Sequence, residues 1–149
     1  MSPSYVNGQS LFVEKKTEAC GKISKNVDVI IKKKGSAKTL LKTVFGLPND
    51  IITMNPNNLI LINGLPLYNR SKQPIKMNKS QYAAILKGLT KDLKIPQGKI
   101  LILGQKVYKD LHIFQNDSRT YGLIQISDVA GVVRDINDQM IKIERDHIP

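Results

Sequence analysis

The strongest constraint on the fold is a rhythm in the sequence. Short runs of β-branched and apolar residues, each closed by turn formers, recur along most of the chain. The runs are Leu11–Glu14, Val27–Lys32, Thr39–Phe45, Asp50–Met54, Leu59–Ile62, Leu65–Tyr68, Lys99–Leu103, Gly122–Ile126, Ala130–Arg134 and Met140–Glu144. Runs of this length, bounded by Gly, Pro, Asn and Asp, are strand-sized. Asn63–Gly64, between LILI and LPLY, predicts a two-residue hairpin, because both residues tolerate positive φ. In Leu47-Pro48-Asn49-Asp50, Pro48 presets φ and Asn49 suits the left-handed position of a type II turn. One segment breaks the rhythm. Asn78 to Leu93 places Tyr82, Ile85, Leu86 and Leu89 at helical spacing, with Pro96 beyond, which predicts a helix. Gly88 weakens it by about 1 kcal/mol relative to alanine. No internal repeat is visible. The reading is a mainly β (β-rich α+β) fold, one domain over 1–149, with an insertion at 67–95 that contains the helix.

Composition narrows the chemistry. A chain of 149 residues fits one domain. The lone Cys20 excludes an internal disulfide framework and a multi-cysteine metal site, and His112 and His147 stand far apart in sequence, which leaves little for zinc. No cofactor is expected. A histidine-based nucleophile is awkward with this supply. No apolar run reaches the ~18 to 20 residues of a membrane-spanning helix, and no basic stretch followed by an apolar one marks a signal peptide. The chain as given therefore reads as soluble. The formal charge is +11, and between Lys15 and Lys42 nine lysines face only Glu18 and Asp28. The block Lys32-Lys33-Lys34 is a solvated hairpin tip, or a patch attracting anionic surfaces.

The residues that carry chemistry lie in Leu40 to Asp50. Lys42 sits mid-strand, flanked on its own face by Leu40 and Val44 and on the other by Leu41 and Phe45. An ammonium among apolar groups loses hydration, which favours the neutral amine. A neutral amine can take a proton from a hydroxyl and activate a serine without histidine. A strand lysine can instead snorkel to water, and on the strand alone that reading is preferred.

The motifs match a family. Lys42 precedes Gly46-Leu47-Pro48-Asn49-Asp50, and near the end of the domain stands Asp117-Ser118-Arg119-Thr120-Tyr121-Gly122, preceded by Ile95-Pro96-Gln97-Gly98-Lys99 and Leu103-Gly104 and followed by Val129-Ala130-Gly131. Together with Met1-Ser2-Pro3-Ser4 leading to Phe12-Val13-Glu14-Lys15, these resemble the boxes of the type I signal peptidases, including their conjugative-transfer and organellar branches. The likeness covers residues 1–16, 38–66 and 96–134, and its force lies in three boxes in the right order.

The resemblance implies a signal-peptidase-like β-barrel or sheet domain and a Ser–Lys dyad endopeptidase. Lys42 would be the general base. The nucleophilic serine would fall immediately before Met1, outside this chain, together with the N-terminal membrane anchor. Gln115 stands where the family has a lysine-orienting serine, and its amide oxygen would accept from Lys42 in that role; Asp117, Ser118 and Arg119 would support the site, with Asp117 and Arg119 as an ion pair. Thr43 and Gln105 replace an arginine and an aspartate that the family often pairs, so both charges are lost together. Met1, Tyr5, Leu40 and Leu41 would form apolar walls selecting small side chains. The substrate would be an exported precursor, or a pilin-like protein in conjugation, added as an extended strand beside Thr39–Lys42. The full-length protein would act at the extracytoplasmic face of the cytoplasmic membrane. Without its serine the chain alone would be inactive.

Two other readings stand beside this one. The chain is a silent relic of the same fold, or a small basic β-barrel that binds nucleic acid. The charge favours the latter. Against it, only four cations are arginine, Trp is absent, and the aromatics do not interleave with the basic run, so nucleic acid is not the expected partner.

Overall fold

A computed structural model describes residues 11–15, 23–32 and 39–135, with the backbone alone at 11–15 and 134–135. The fold is mainly β. Among the described residues nine strands run in chain order: β1 (Leu11–Lys15), β2 (Asp28–Lys32), β3 (Thr39–Gly46), β4 (Ile52–Met54), β5 (Ile60–Ile62), β6 (Leu65–Pro66), β7 (Lys99–Leu103), β8 (Ile124–Gln125) and β9 (Val129–Asp135). Helix α1 (Lys79–Leu86) follows β6, and the short α2 (Ser118–Tyr121) follows β7. One sheet has the order β1-β9-β2-β3-β7-β8 and a second the order β4-β5-β6. Every pairing is antiparallel. Nine of the ten sequence runs thus coincide with strands, and Met140–Glu144 lies outside the described residues.

Turn chemistry sets the strand junctions. Asn63 and Gly64 take φ of 52° and 84°, and Ile62 pairs with Leu65 across them, so β5 and β6 form the expected tight hairpin. Asn49 sits at φ 78°, and Asp50 N–H donates to the Leu47 carbonyl at 3.0 Å, closing the type II turn after β3. Helix α1 is shorter than the periodicity predicts. Asn78 caps it by accepting from Gln81 N–H, while the Gln81 side chain accepts from Asn78 N–H, a reciprocal capping box. At the other end Gly88 and Leu89 donate to Ile85 and Leu86 in tight turns, and Leu93 adopts φ 64°. The chain therefore leaves the helix near Gly88, where propensity is lowest.

The core has two parts. Val29, Ile31, Leu40, Val44, Ile100, Ile102, Ile124, Val129 and Val132 form the first. Phe45, Ile52, Ile60, Ile62, Ile75, Met77, Ile85, Ile95, Leu101 and Leu103 form the second. Strand β7 joins them, since period-2 alternation sends Ile100 and Ile102 to one face and Leu101 and Leu103 to the other. Residues 67–95 supply Ile75, Met77, Ile85 and Ile95 to the second part, so this segment belongs to the packed body.

Helices α1 and α2 meet at Gly122. Its φ is 77°, and a methyl there would lie 2.8 Å from the Ala84 carbonyl oxygen. Gly122→Ala combines a backbone region that only glycine adopts readily with a clash against fixed backbone. It should cost about 3 kcal/mol, read as a lower denaturation midpoint with an unchanged m-value.

Candidate active site

The site forms where β3 and β7 part. Their register pairs Val44 with Ile102 and Thr43 with Leu103 and ends there. The next two residues in this register, Lys42 and Gly104, face each other beyond the last rung. A methyl built on Gly104 would lie 3.4 Å from Lys42 Nζ and 3.7 Å from Asp117 Oδ2. The bare α-carbon thus forms one wall beside the amine, and a larger residue would fill the space. Lys42 is half-buried on the same strand face as Leu40 and Val44. Burial lowers the pKa of its ammonium. The Asp117 carboxylate opposes this and the Arg119 guanidinium adds to it, and the balance lies below the ordinary lysine value. Among the described residues no hydrogen bond engages Lys42 Nζ, so its lone pair is uncommitted once the proton leaves.

Asp117 is the hub of the loop behind it. It is fully buried and caps α2 by accepting from Arg119 N–H. Its Oδ2 accepts from Gly104 N–H at 2.9 Å and from Arg119 Nη2 at 2.6 Å, and its Oδ1 accepts from Arg119 Nε at 3.1 Å. Two parallel N–H donors on one carboxylate make a charge-assisted fork. Arg119 also donates to the Lys76 carbonyl and to Gln115 Oε1. Ser118 is buried, and its hydroxyl accepts from Ile102 N–H at 3.0 Å.

The predicted residues separate on this geometry. Lys42, Asp117 and Arg119 come together, and Ser118 ties α2 to β7. Gln115 directs its amide oxygen to Arg119, and it stands one step behind the lysine. Leu40 is 8% exposed and packs in the first core, whereas Leu41 is half-buried on the opposite strand face. Met1, Tyr5 and the position before Met1 lie outside the described residues. Sequence reasoning missed Gly104 as a wall, for which its place opposite Lys42 in register was the signal. It also missed Asp28 and Arg70, which lie behind the strand.

The edge of β3 beside the site is open among the described residues. Val44 N–H donates to the Val27 carbonyl, on the β2 side, so alternation turns the peptide groups of Thr39 and Leu41 away from β2. No described strand pairs with them there. The described residues contain no His/Cys/Asp/Glu group that could hold a metal ion, and no helix among them is long and apolar enough to cross a membrane.

Residues 1–136 match the family model described as signal peptidase, peptidase S26. The chain is 30% identical over 142 residues to signal peptidase I V of Bacillus subtilis (strain 168), covering 91% of this chain and 79% of that protein. It is 29% identical over 136 residues to signal peptidase I P of Bacillus subtilis subsp. natto, covering 88% and 68%. A crystal structure of a signal peptidase I from Enterococcus faecalis V583 aligns over 74% of this chain and 96% of that one, at 18% identity and a TM-score of 0.46. The chain belongs to the signal peptidase family, peptidase S26.

Proposed function

We propose that this domain cleaves signal peptides from exported precursors by a Ser–Lys dyad, with Lys42 as the general base. The nucleophile in this reading is a serine immediately before Met1, supplied by a longer form of the chain at the extracytoplasmic membrane face. The observation that supports it is the half-buried Lys42 amine, with its lowered pKa, between Gly104 and the Asp117–Arg119 pair. Lys42 takes the serine proton as the hydroxyl attacks the scissile carbonyl, and then gives it to the leaving amine. The precursor adds as a strand against the open peptide groups of Thr39 and Leu41, which aligns its backbone without reading its sequence. Specificity then rests on the small side chains that fit beside the site.

The pH dependence tests this directly. Below its midpoint Lys42 is protonated and cannot accept a proton, so the rate rises as pH increases through that midpoint. Because burial sets the midpoint below the ordinary lysine value, the rise is complete at a lower pH than an exposed lysine would give. The measurement is kcat/KM against pH for a chain carrying serine directly before Met1, with a precursor peptide bearing small residues at its cleavage site. A profile that does not change where NMR shows Lys42 titrating overturns the assignment.

A further inference from the structure

Behind the sheet, Thr43 and Gln105 belong to a buried network that ends in the Asp28–Arg70 ion pair. Thr43 is buried at 1% exposure and Gln105 at 1%, and Gln105 Nε2 donates to Thr43 Oγ1 at 2.8 Å. Thr43 Oγ1 in turn donates to Asp28 Oδ1 at 2.5 Å, directly across the β2–β3 ladder. Asp28 is 2% exposed, and Arg70 grips it with both ends of its guanidinium, Nη1 to Oδ2 at 2.8 Å and Nη2 to Oδ1 at 2.7 Å. Arg70 Nη2 also donates to the Asn26 carbonyl. The backbone N–H of Arg70 donates to Gln105 Oε1 at 2.8 Å, and Asn69 Nδ2 donates to the Gln105 carbonyl at 2.7 Å.

This clamp begins where the β3–β7 ladder stops. The last rung is Thr43 with Leu103, and the clamp ties Thr43 to Gln105, two residues past it. Alternation along β3 puts Thr43 on the face opposite Lys42. The residue before Thr43 is the proposed base, and the residue before Gln105 is Gly104, its wall. Holding Thr43 and Gln105 together behind the sheet therefore fixes the gap between Lys42 and Gly104 in front. Among the described residues no strand pairs with the edge of Thr39–Leu41 that faces away from β2.

We propose that Asp28 and Arg70 are positioning residues for Lys42, acting through Thr43 and Gln105 to set the width of the cleft between β3 and Gly104. The proposal rests on the reading of Lys42 as the base. A loosened clamp lets β7 swing away and admits water to the amine. Asp117 and Arg119 remain the charged groups that Lys42 faces.

The test is an NMR titration of Lys42 in the chain as it exists, which needs no nucleophile, in wild type and in Asp28→Asn, Arg70→Gln and Arg70→Lys. A direct effect of charge would move the Lys42 midpoint in opposite directions in the first two variants. Positioning moves it upward in all three, including Arg70→Lys, which keeps the charge and loses the fork. The Gly104 amide, which donates to Asp117, should then exchange at least about tenfold faster. Circular dichroism identifies any variant that fails to fold, and Arg70→Lys, the mildest change, decides the matter in that event. An unchanged Lys42 midpoint and unchanged Gly104 exchange in folded variants overturn the proposal, as do opposite shifts. A wild-type midpoint at the ordinary lysine value overturns the reading of Lys42 as base and is seen separately.

Discussion

Lys42→Met, in a chain that carries serine before Met1, should lower kcat/KM for a precursor peptide by at least about 10³-fold while the protein stays folded and melts no lower than wild type. The two halves of this result share one cause. Burial lowers the pKa of Lys42 in the folded chain, so between that value and the ordinary lysine value the unfolded state binds more protons. Stability therefore rises with pH across that window. At neutral pH the folded state holds an ammonium in a place that disfavours it, and methionine removes this penalty while keeping the length of the side chain. Activity and stability move apart, as expected where a strained group serves function. Thermal melting beside single-turnover cleavage would check both, and full cleavage by Lys42→Met would end the dyad assignment.

Asp117→Ala should be among the most destabilising single changes in the domain, at about 3–5 kcal/mol. Arg119 is 5% exposed, and two of its nitrogens and its backbone N–H donate to Asp117. Without that carboxylate a guanidinium stays buried with its charge uncompensated, and Gly104 N–H loses its acceptor. A fall in melting temperature of roughly 6–20 °C follows from the usual scaling for a domain of this size. The double change Asp117→Ala with Arg119→Leu should recover part of the loss, because it removes the orphaned charge as well. Equal destabilisation in the single and double variants would show that the fork is not the source.

Much of this architecture was legible in advance, for reasons that particular residues show. Strands announced themselves because apolar alternation and positive-φ residues such as Asn49 and Asn63 are local signals, and so was the apolar flanking of Lys42. Helix α1 ends early because Gly88 and the turn at Leu93 outweigh a periodicity that ran to residue 93. Helix α2 gave no periodicity at all, because four residues make one turn. The ion pair expected of Asp117 and Arg119 is present, but the helical geometry of that box became visible only with the cap that Asp117 provides. The clamp was out of reach. Arg70 and Asp28 are 42 residues apart in sequence, and nothing near either one names the other. Thr43 and Gln105 carry no sign of the ion pair they touch, and only the fold brings that pair to them.

Strand β7 bears on how far this protein can be trimmed. Its neighbouring side chains belong to two different apolar interiors, so losing the strand opens both. Excising 67–95 would uncover Phe45 on β3 and Leu101 and Leu103 on β7, the strand that leads into Gly104. The segment that looks most like a passenger is thus the backing behind the sheet that holds Lys42.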